Sequence, residues 1–148
     1  MTLFGWNGQN KSSLAEWIVQ ELRAGREITG FEDVVFSPLL ASDLGRVISQ
    51  IIRRDLRGLY HAGSTARISK LKFAQRLAQL FHLDENLIRP GKLADRRLFA
   101  PRPLDTSLSS AVLEKDLGAP LPTLEEGLGR FHEQETNGWA QALKNHIL

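Results

Sequence analysis

The 148-residue sequence contains no cysteine, which excludes disulfide bonds, thiolate metal ligands and a thiol nucleophile. A chain without disulfides fits a reducing compartment, and we expect a cytoplasmic protein. No apolar run approaches the roughly 20 residues that span a bilayer, so we expect no membrane insertion. The first residues show no basic segment followed by an apolar stretch, so no secretory signal is predicted.

Charge of either sign is not in large excess. The 19 basic residues stand against 17 acidic ones, which leaves a formal net charge of +2. So small an excess does not indicate a nucleic-acid partner. Arginines outnumber lysines by 13 to 6. Arginine is the better of the two as a partner for phosphate groups.

Motifs for catalysis are also missing. No Gly-x-Gly-x-x-Gly or Gly-x-x-Gly-x-x-Gly loop follows a predicted strand, so no dinucleotide cofactor is expected to bind this chain. There is no Gly-x-Ser-x-Gly nucleophile elbow. Tyr60 is the only tyrosine, and Ser64 stands where a Tyr-x-x-x-Lys pair requires lysine. The sequence therefore predicts no catalytic residues.

The four histidines do not suggest a metal centre. No two of them have the spacing of metal ligands, and no carboxylate completes a set, so no metal site is predicted. His61 follows an apolar segment and is expected to be a buried structural residue. His82 is expected at a helix C-terminus, where positive charge is favourable. The histidines are His61, His82, His132 and His146.

Helices are the clearest feature that the sequence does contain. Ser13 to Glu16 and Thr123 to Glu126 have the pattern of capping boxes, and apolar residues recur at helical spacing. In the first of these helices the register places Trp17 in the core. We predict helices at about 13–24, from a cap at Ser42 or Asp43 to Arg57, from Ser69 to Phe81, from Ser109 or Ser110 to Leu117, from Thr123 to about Gln134, and in a tail carrying Trp139, Leu143 and Ile147.

Strands are predicted to be few and short. Between Glu27 and Pro38, β-branched and aromatic residues indicate two short strands or a hairpin around Gly30. Helices that alternate with short strands favour a mixed α/β or α+β fold, mostly helical. So few strands form a poor sheet alone, which predicts partner strands outside this sequence. The other candidates are Thr2–Trp6, Leu59–Ala62 and Leu87–Pro90.

A basic segment begins in the last predicted strand, at Arg89, and continues through the loop after it. Its five cations lie within 14 residues, in a proline-containing loop rather than on a helix face. Such a cluster forms either a solvated surface loop or a phosphate-binding site, and spacing alone does not decide between them. Trp6, in a loop rich in glycine and asparagine, is a further candidate for contact with a ligand. The cations are Arg89, Lys92, Arg96, Arg97 and Arg102.

Several short motifs, taken in order, resemble one protein family. Each is weakly specific, but their order and spacing are similar to the C-terminal, substrate-binding half of dTDP-4-dehydrorhamnose reductase and its relatives among the extended short-chain dehydrogenases. We interpret residues 1–132 as this domain and residues 133–148 as an amphipathic tail. The motifs are Leu3-Phe4-Gly5, Phe36 to Leu44, Gly58-Leu-Tyr-His61, Ser69 to Phe81, Arg102 to Leu108 and Leu121 to Leu128.

The resemblance implies what this half does and what it lacks. It implies the C-terminal part of a Rossmann-type reductase that contacts a dTDP-sugar-like nucleotide, with Arg102 as a phosphate partner and Arg89 and Lys92 as weaker candidates. In the full-length family, NADPH and the Tyr/Lys pair belong to an N-terminal half that has no counterpart here.

Two functions follow as expectations. The first is a sugar-nucleotide-binding portion of a 4-keto-sugar reductase, without catalytic activity unless an N-terminal reductase half joins it. The second is a non-catalytic interaction module that self-associates, because missing sheet neighbours leave strand edges and apolar faces exposed. The Trp139, Leu143 and Ile147 stripe is the predicted interface of such an oligomer.

Overall fold

A computed structural model describes residues 2–8, 11–96 and 100–145, together with their side chains except that of Lys144. The predictions made for Arg97, His146 and Ile147 therefore lie outside the described residues. Within them, helices dominate and the strands are short, which confirms the predicted mixed α/β class.

Six α-helices run through the described residues, and local sequence explains where most of them begin. Ser13 and Thr123 both form complete capping boxes, and the Ser69 hydroxyl accepts a hydrogen bond from the Lys72 backbone N–H at 3.2 Å. None of the described helices is both long and apolar enough to cross a membrane. The helices are α1 (Leu14–Arg23), α2 (Ala41–Arg53), α3 (Lys70–Leu80), α4 (Ala111–Leu117), α5 (Leu124–Thr136) and α6 (Trp139–Asn145).

Seven short strands form three small sheets. β1 pairs with β4 and β2 pairs with β6, both in parallel, whereas β3 lies between antiparallel β5 and parallel β7. Parallel pairs join segments distant in sequence, so these contacts tie residues 2–40 to one another and to residues 88–106. The strands are β1 (Thr2–Phe4), β2 (Ile28–Phe31), β3 (Val35–Phe36), β4 (Pro38–Leu40), β5 (Ile68–Ser69), β6 (Ile88–Gly91) and β7 (Asp105–Thr106).

Of the two alternatives predicted for Glu27 to Pro38, the two short strands are confirmed and the hairpin around Gly30 is wrong. β2 pairs with β6, which lies about sixty residues further along, rather than with β3. Gly30 serves a different purpose from a turn, because α3 passes directly over it. A Cβ atom at this position would lie 2.9 Å from the Leu71 Cα atom, which is too close for any side chain. The predicted strand at Leu59–Ala62 is also absent, and Leu59 is fully exposed there.

Aromatic rings form the centre of the larger core. The Phe131 ring of α5 stacks on Trp6 with centroids 4.4 Å apart and meets Phe4 and Phe81 edge to face at 5.8 and 5.7 Å. Phe73 of α3 extends the cluster to Phe4 at 5.5 Å. Edge-to-face and offset contacts are the favourable arrangements for aromatic pairs, so this cluster fixes α3 and α5 against β1.

A buried carboxylate joins α2 to α5. Asp43 is completely buried, and its two oxygens accept from Arg46 at 3.0 Å and from Arg130 at 2.7 Å. Neither Asp43 nor Ser42 caps α2 as predicted, since the helix begins at Ala41 after Leu40 without a side-chain cap. The Asp43 carboxylate is directed instead at the α5 arginine, because a buried charge must be paired to be tolerated.

The aromatic cluster generates the first testable prediction. Phe131→Ala removes a fully buried ring with three aromatic partners, Phe4, Trp6 and Phe81. It should lower the free energy of unfolding by about 3–5 kcal/mol. Ile52→Ala, at a side chain 70% exposed, is the control and should change it by less than about 0.5 kcal/mol. Urea titration followed by circular dichroism measures both. Equal losses for the two variants would contradict the proposed core.

Candidate ligand-binding cleft

A cleft with two connected chambers lies where α1, β2, α3 and the segment before β7 meet. The chambers have volumes of about 540 and 370 Å³ and share Leu14, Phe31 and Lys70. These volumes are in the range of small-molecule sites. The cationic chamber is lined by Lys70 and Arg102 with Thr2, Leu14, Phe31, Val34, Phe36, Leu93, Pro103 and Thr106. The tryptophan chamber is lined by Trp17, Lys70 and Arg96 with Leu14, Ile18, Ile28, Thr29, Gly30, Phe31 and Ala74.

Lys70 occupies the first position of α3 and faces both chambers. Ser69 caps this helix, and the Lys70 backbone N–H donates to the Val34 carbonyl at 2.9 Å. The two bonds fix the start of α3 beside β3. The Lys70 side chain is therefore presented to the cleft by a rigid helix end rather than by a loop.

Arg102 reaches the cationic chamber from an irregular segment that is anchored on β3. It stands between Pro101 and Pro103, whose rings restrict the backbone, and the Leu104 carbonyl accepts from the Val35 N–H at 2.7 Å. Beyond it, the Asp105 carboxylate accepts bonds from Ser107 and Arg67, which hold its pKa far below the ordinary value. The segment is thus tied at Leu104 and at Asp105, whereas Arg102 itself is exposed.

The cleft is electropositive because nothing within its described lining neutralises it. Burial lowers the pKa of Lys70, and the positive charge of Arg102 lowers it further. No carboxylate lines either chamber in the described part of the chain, and neither Lys70 nor Arg102 forms an ion pair with a described acid. Two facing cations that lack an acidic partner are the arrangement that an anionic ligand stabilises.

Of the predicted cations, the structure brings Arg102 and Arg96 to the cleft and leaves two outside it. The Arg96 guanidinium donates to the Thr29 hydroxyl at 2.9 Å. Arg89 lies on β6 and pairs with Glu27 at 2.5 Å, and Lys92 is exposed at the next turn; neither lines the chambers. Arg89 already has its acid, which makes Arg102 the better placed of the candidates for phosphate.

Trp6 and Trp17 lie in environments opposite to those predicted for them. Trp6, predicted to meet a ligand, is 9% exposed in the core, and its indole N–H donates to the Phe131 carbonyl at 2.8 Å. Trp17, predicted to lie in the core, is 39% exposed and lines the tryptophan chamber. The buried face of α1 runs through Ala15, Ile18 and Val19, so Trp17 falls at the edge of that face rather than within it.

Lys70 is the cleft residue that sequence patterns did not reveal. In the sequence, Lys70 is notable only because it directly follows the predicted N-cap of a helix. A cap fixes where the helix begins, but it does not predict which part of the protein the next side chain contacts. His61 and His82 are exposed, and His61 is therefore not the buried residue that we predicted. No group of three histidines or acids suited to a metal ion occurs among the described residues.

Short parallel strands, packed helices and a cationic cleft define a domain of the mixed α/β class. Comparison with protein families gives its identity: residues 2–137 match the family described as the RmlD substrate binding domain. The match covers most of the chain, which belongs to this family. The resemblance to the C-terminal half of dTDP-4-dehydrorhamnose reductases is thereby confirmed.

Individual relatives agree with the family. The probable low-salt glycan biosynthesis reductase Agl14 of Haloferax volcanii is 26% identical over 113 residues, which are 76% of this chain and 38% of that protein. The crystal structure of dTDP-4-dehydrorhamnose reductase from Bacillus anthracis in complex with NADP matches with a TM-score of 0.79 at 25% identity, over 89% of this chain and 46% of that one.

A dTDP-4-dehydrorhamnose reductase from Clostridium acetobutylicum has the same fold, with a TM-score of 0.78 over 90% of this chain and 48% of that one, at 20% identity. The present chain therefore spans less than half the length of these relatives.

The depressed pKa of Lys70 leads to a prediction about protons. An anion bound between Lys70 and Arg102 favours the charged amine, so binding raises the Lys70 pKa back toward its ordinary 10.5. In the pH window between the lowered and the restored pKa, binding of sulfate, an anion that stays fully ionised there, should take up a proton. Calorimetry in buffers of different ionisation enthalpy measures this uptake. Lys70→Met should abolish the buffer dependence, and the same dependence in wild type and variant would contradict the assignment.

Proposed function

We propose that this chain is the sugar-nucleotide-binding portion of a 4-keto-sugar reductase and holds a dTDP-sugar-like ligand in the two-chamber cleft. One observation carries the proposal: Lys70, Arg96 and Arg102 face an otherwise apolar cleft whose described lining has no carboxylate. The names of the relatives support it, because two of them are dTDP-4-dehydrorhamnose reductases.

The diphosphate of such a ligand matches the two cations of the cationic chamber. A diphosphate carries its charge on oxygens that accept several hydrogen bonds, and arginine gives two of them in a planar fork. Lys70 supplies a second, compact positive charge from the helix end. The two cations approach from different elements, α3 and the segment before β7, and so can hold a diphosphate from two sides.

The apolar walls suit the rest of such a ligand. Leu14, Phe31 and Val34 exclude water from around the diphosphate, which strengthens each charged hydrogen bond. The cationic chamber alone, at about 540 Å³, has room for a sugar beside the phosphates. A largely apolar cleft with three cations in its lining is therefore a better description of this site than the solvated basic loop that the sequence left open.

Reduction of a keto group requires a hydride donor and a proton donor, and this proposal assigns neither to the present residues. Tyr60 is remote from the described cleft lining and donates to Asp116 at 2.8 Å, a bond that raises the Tyr60 pKa. The described residues also form no glycine-rich loop suited to the phosphates of NADPH. The chain alone is proposed to be inactive, and NADPH is proposed to bind a reductase half.

The partner proposed for this chain is an N-terminal, dinucleotide-binding reductase half. Among the described strands, β1 has only β4 beside it, so one edge of a parallel pair is open. Parallel sheets are usually larger and covered on both faces. Leu3 of β1 and Ile48 and Ile52 of α2 are 38%, 45% and 70% exposed. These apolar side chains are suited to contact a further sheet.

Self-association is the second candidate, favoured by the same exposed side chains and by Trp139, which is 43% exposed on α6. A homo-oligomer would cover these surfaces without a reductase half. Under this alternative the chain is an interaction module derived from a truncated reductase. For the reductase portion we propose a cytoplasmic location, because nucleotide sugars and NADPH are the ligands involved.

Ligand titration tests the binding proposal. dTDP-glucose should raise the midpoint of thermal unfolding, by an amount that corresponds to about 2.7 kcal/mol at one hundred times the dissociation constant. Arg102→Ala and Lys70→Met should each weaken binding at least tenfold, because each removes a charged hydrogen bond worth about 1.5–3 kcal/mol.

Arg89→Ala is the matched control, since Arg89 is a nearby arginine that pairs with Glu27 outside the cleft lining. It should bind like the wild type. UDP-glucose and NADPH complete the series, and NADPH should not bind. Equal losses of affinity for Arg89→Ala and Arg102→Ala would contradict the proposal. So would an unchanged unfolding midpoint with every sugar nucleotide on a folded sample.

A gain-of-function experiment tests the partner. The pure chain should not oxidise NADPH in the presence of dTDP-4-dehydrorhamnose. A chimera with the dinucleotide-binding half of the Bacillus anthracis reductase placed before Thr2 should do so, and Arg102→Ala in the chimera should raise KM. Sedimentation of the pure chain distinguishes the alternative: a stable homodimer that Ile52→Glu disrupts would favour the interaction module.

A further inference from the structure

A second groove lies between α3 and α5, on the side of α3 away from the cleft. It consists of two connected cavities of about 430 and 360 Å³, which share Arg76, Gln79 and Glu125. α3 contributes Lys70 to the cleft and Lys72 to this groove, and residues two positions apart in a helix point about 200° apart. No described residue lines both the cleft and this α3–α5 groove.

One end of the groove is cationic. Lys72 and Arg76 are exposed one turn apart on α3, and Arg67, directly before β5, lines the same cavity. Arg67 pairs with Asp105 at 2.7 Å, but neither Lys72 nor Arg76 forms an ion pair with a described acid. Glu125 is the only acid in the described lining. Like charges four residues apart on a helix repel each other, so the fold itself gives no reason for this pair of cations.

The other end of the groove is apolar and open. Its lining includes Leu80 of α3 and Leu128 and Gly129 of α5. A Cβ atom added at Gly129 would have no neighbouring heavy atom within 4 Å, so unfilled space lies over α5 at this point. Glycine inside a helix is less favourable than alanine, and no close packing requires it here. An apolar side chain from outside the domain can fill the space.

The length of the groove restricts what can contact both ends. Lys72 and Leu80 are eight positions apart on α3, which is about 12 Å along the helix axis. An extended chain rises about 3.3 Å per residue, so about four residues cover this distance. A phosphate or another small anion would use the cations and leave the apolar end empty. A peptide with acidic residues followed about four positions later by a large apolar residue occupies both ends at once.

We propose that the α3–α5 groove binds an extended acidic peptide segment of another protein. The carboxylates of the segment pair with Lys72 and Arg76, and a leucine-like side chain fills the space beside Gly129. Complementary charge favours such a segment over basic ones and accelerates its association. Because the groove and the cleft share no described lining residue, the partner and a ligand in the cleft can bind at the same time.

Fluorescence anisotropy of the full chain with an array of labelled ten-residue peptides tests the proposal. Each peptide contains Glu-Glu-x-x-Leu, with the two x positions varied. Members of the array should bind, and added salt should weaken the binding by screening exposed charges. Replacing both glutamates by glutamine, or the leucine by serine, should weaken the tightest peptide about tenfold or more. Inorganic tripolyphosphate, which has charge but no apolar group, should bind more weakly than that peptide.

Variants of the chain locate the binding site. Lys72→Glu combined with Arg76→Glu should weaken peptide binding about tenfold or more, because like charges then face each other. Gly129→Leu should weaken it as well, because the new side chain occupies the apolar end. Lys115→Glu is the matched control, since Lys115 is an exposed lysine of α4 outside the groove lining, and it should bind the peptide as the wild type does. Circular dichroism verifies that each variant is folded.

Three outcomes would overturn the proposal. The first is that no member of the array binds the folded wild type with a dissociation constant below about 1 mM. The second is that the charge-reversed variant binds the peptide as tightly as the wild type. The third is a homodimer, seen by sedimentation of the pure chain, that the charge reversal abolishes, because the occupant of the groove would then be a second copy. Loss of dTDP-glucose binding concerns only the function proposed above.

Discussion

The contact between α3 and β2 is the constraint on which the cleft depends. At Gly30 the helix backbone comes so close that an added Cβ atom would lie 2.9 Å from the Leu71 Cα atom. Lys70 precedes Leu71, and Phe73, two residues on, is fully buried in the aromatic core. The close approach therefore fixes the end of α3 that presents Lys70, while the core fixes the rest of the helix. Both chambers of the cleft lie beside this crossing, and both are lined by Phe31 of β2 and Lys70 of α3.

The presence of an acidic partner distinguishes the cations that stabilise the fold from those that are available for a ligand. Arg130 and Arg46 share the buried Asp43, and Arg89 pairs with Glu27 at the surface. Lys70 and Arg102 have no acidic partner within the described cleft lining, and burial, followed by the charge of Arg102, disfavours the charged Lys70 amine and lowers its pKa. Folded proteins tolerate such an unfavourable arrangement mainly at functional sites. A bound anion removes the repulsion.

Local sequence was enough to predict most of the helices, because a capping box such as Ser13 to Glu16 acts within one turn. Strand pairing was not predictable in the same way. Gly30 suggested a turn, and only the distant helix α3 explains why glycine is required there. The family was recognisable because the order of weak motifs survives where single motifs are unspecific, and the match over residues 2–137 confirms it.

The cleft was only partly predictable. Arg102 was identified from a motif, whereas Trp6 and Trp17 could not be assigned without the tertiary structure. Trp17 stands directly before the buried Ile18, so a shift of one residue around α1 decides between the core and the cleft. Trp6 precedes α1, and its contact with Phe131 of α5 places it in the core. Lys70 became a candidate only when the fold brought α3 and the segment before β7 together. Arg89 and Lys92 are close to Arg102 in sequence, yet β6 and the following turn place them outside the described cleft lining.

A crystal structure of the chain with bound dTDP-glucose tests the central claim most directly. The account predicts diphosphate oxygens within hydrogen-bonding distance of both the Lys70 amine and the Arg102 guanidinium, between α3 and the segment before β7. A ligand whose diphosphate contacts neither residue, or one that binds outside the two chambers, would contradict it.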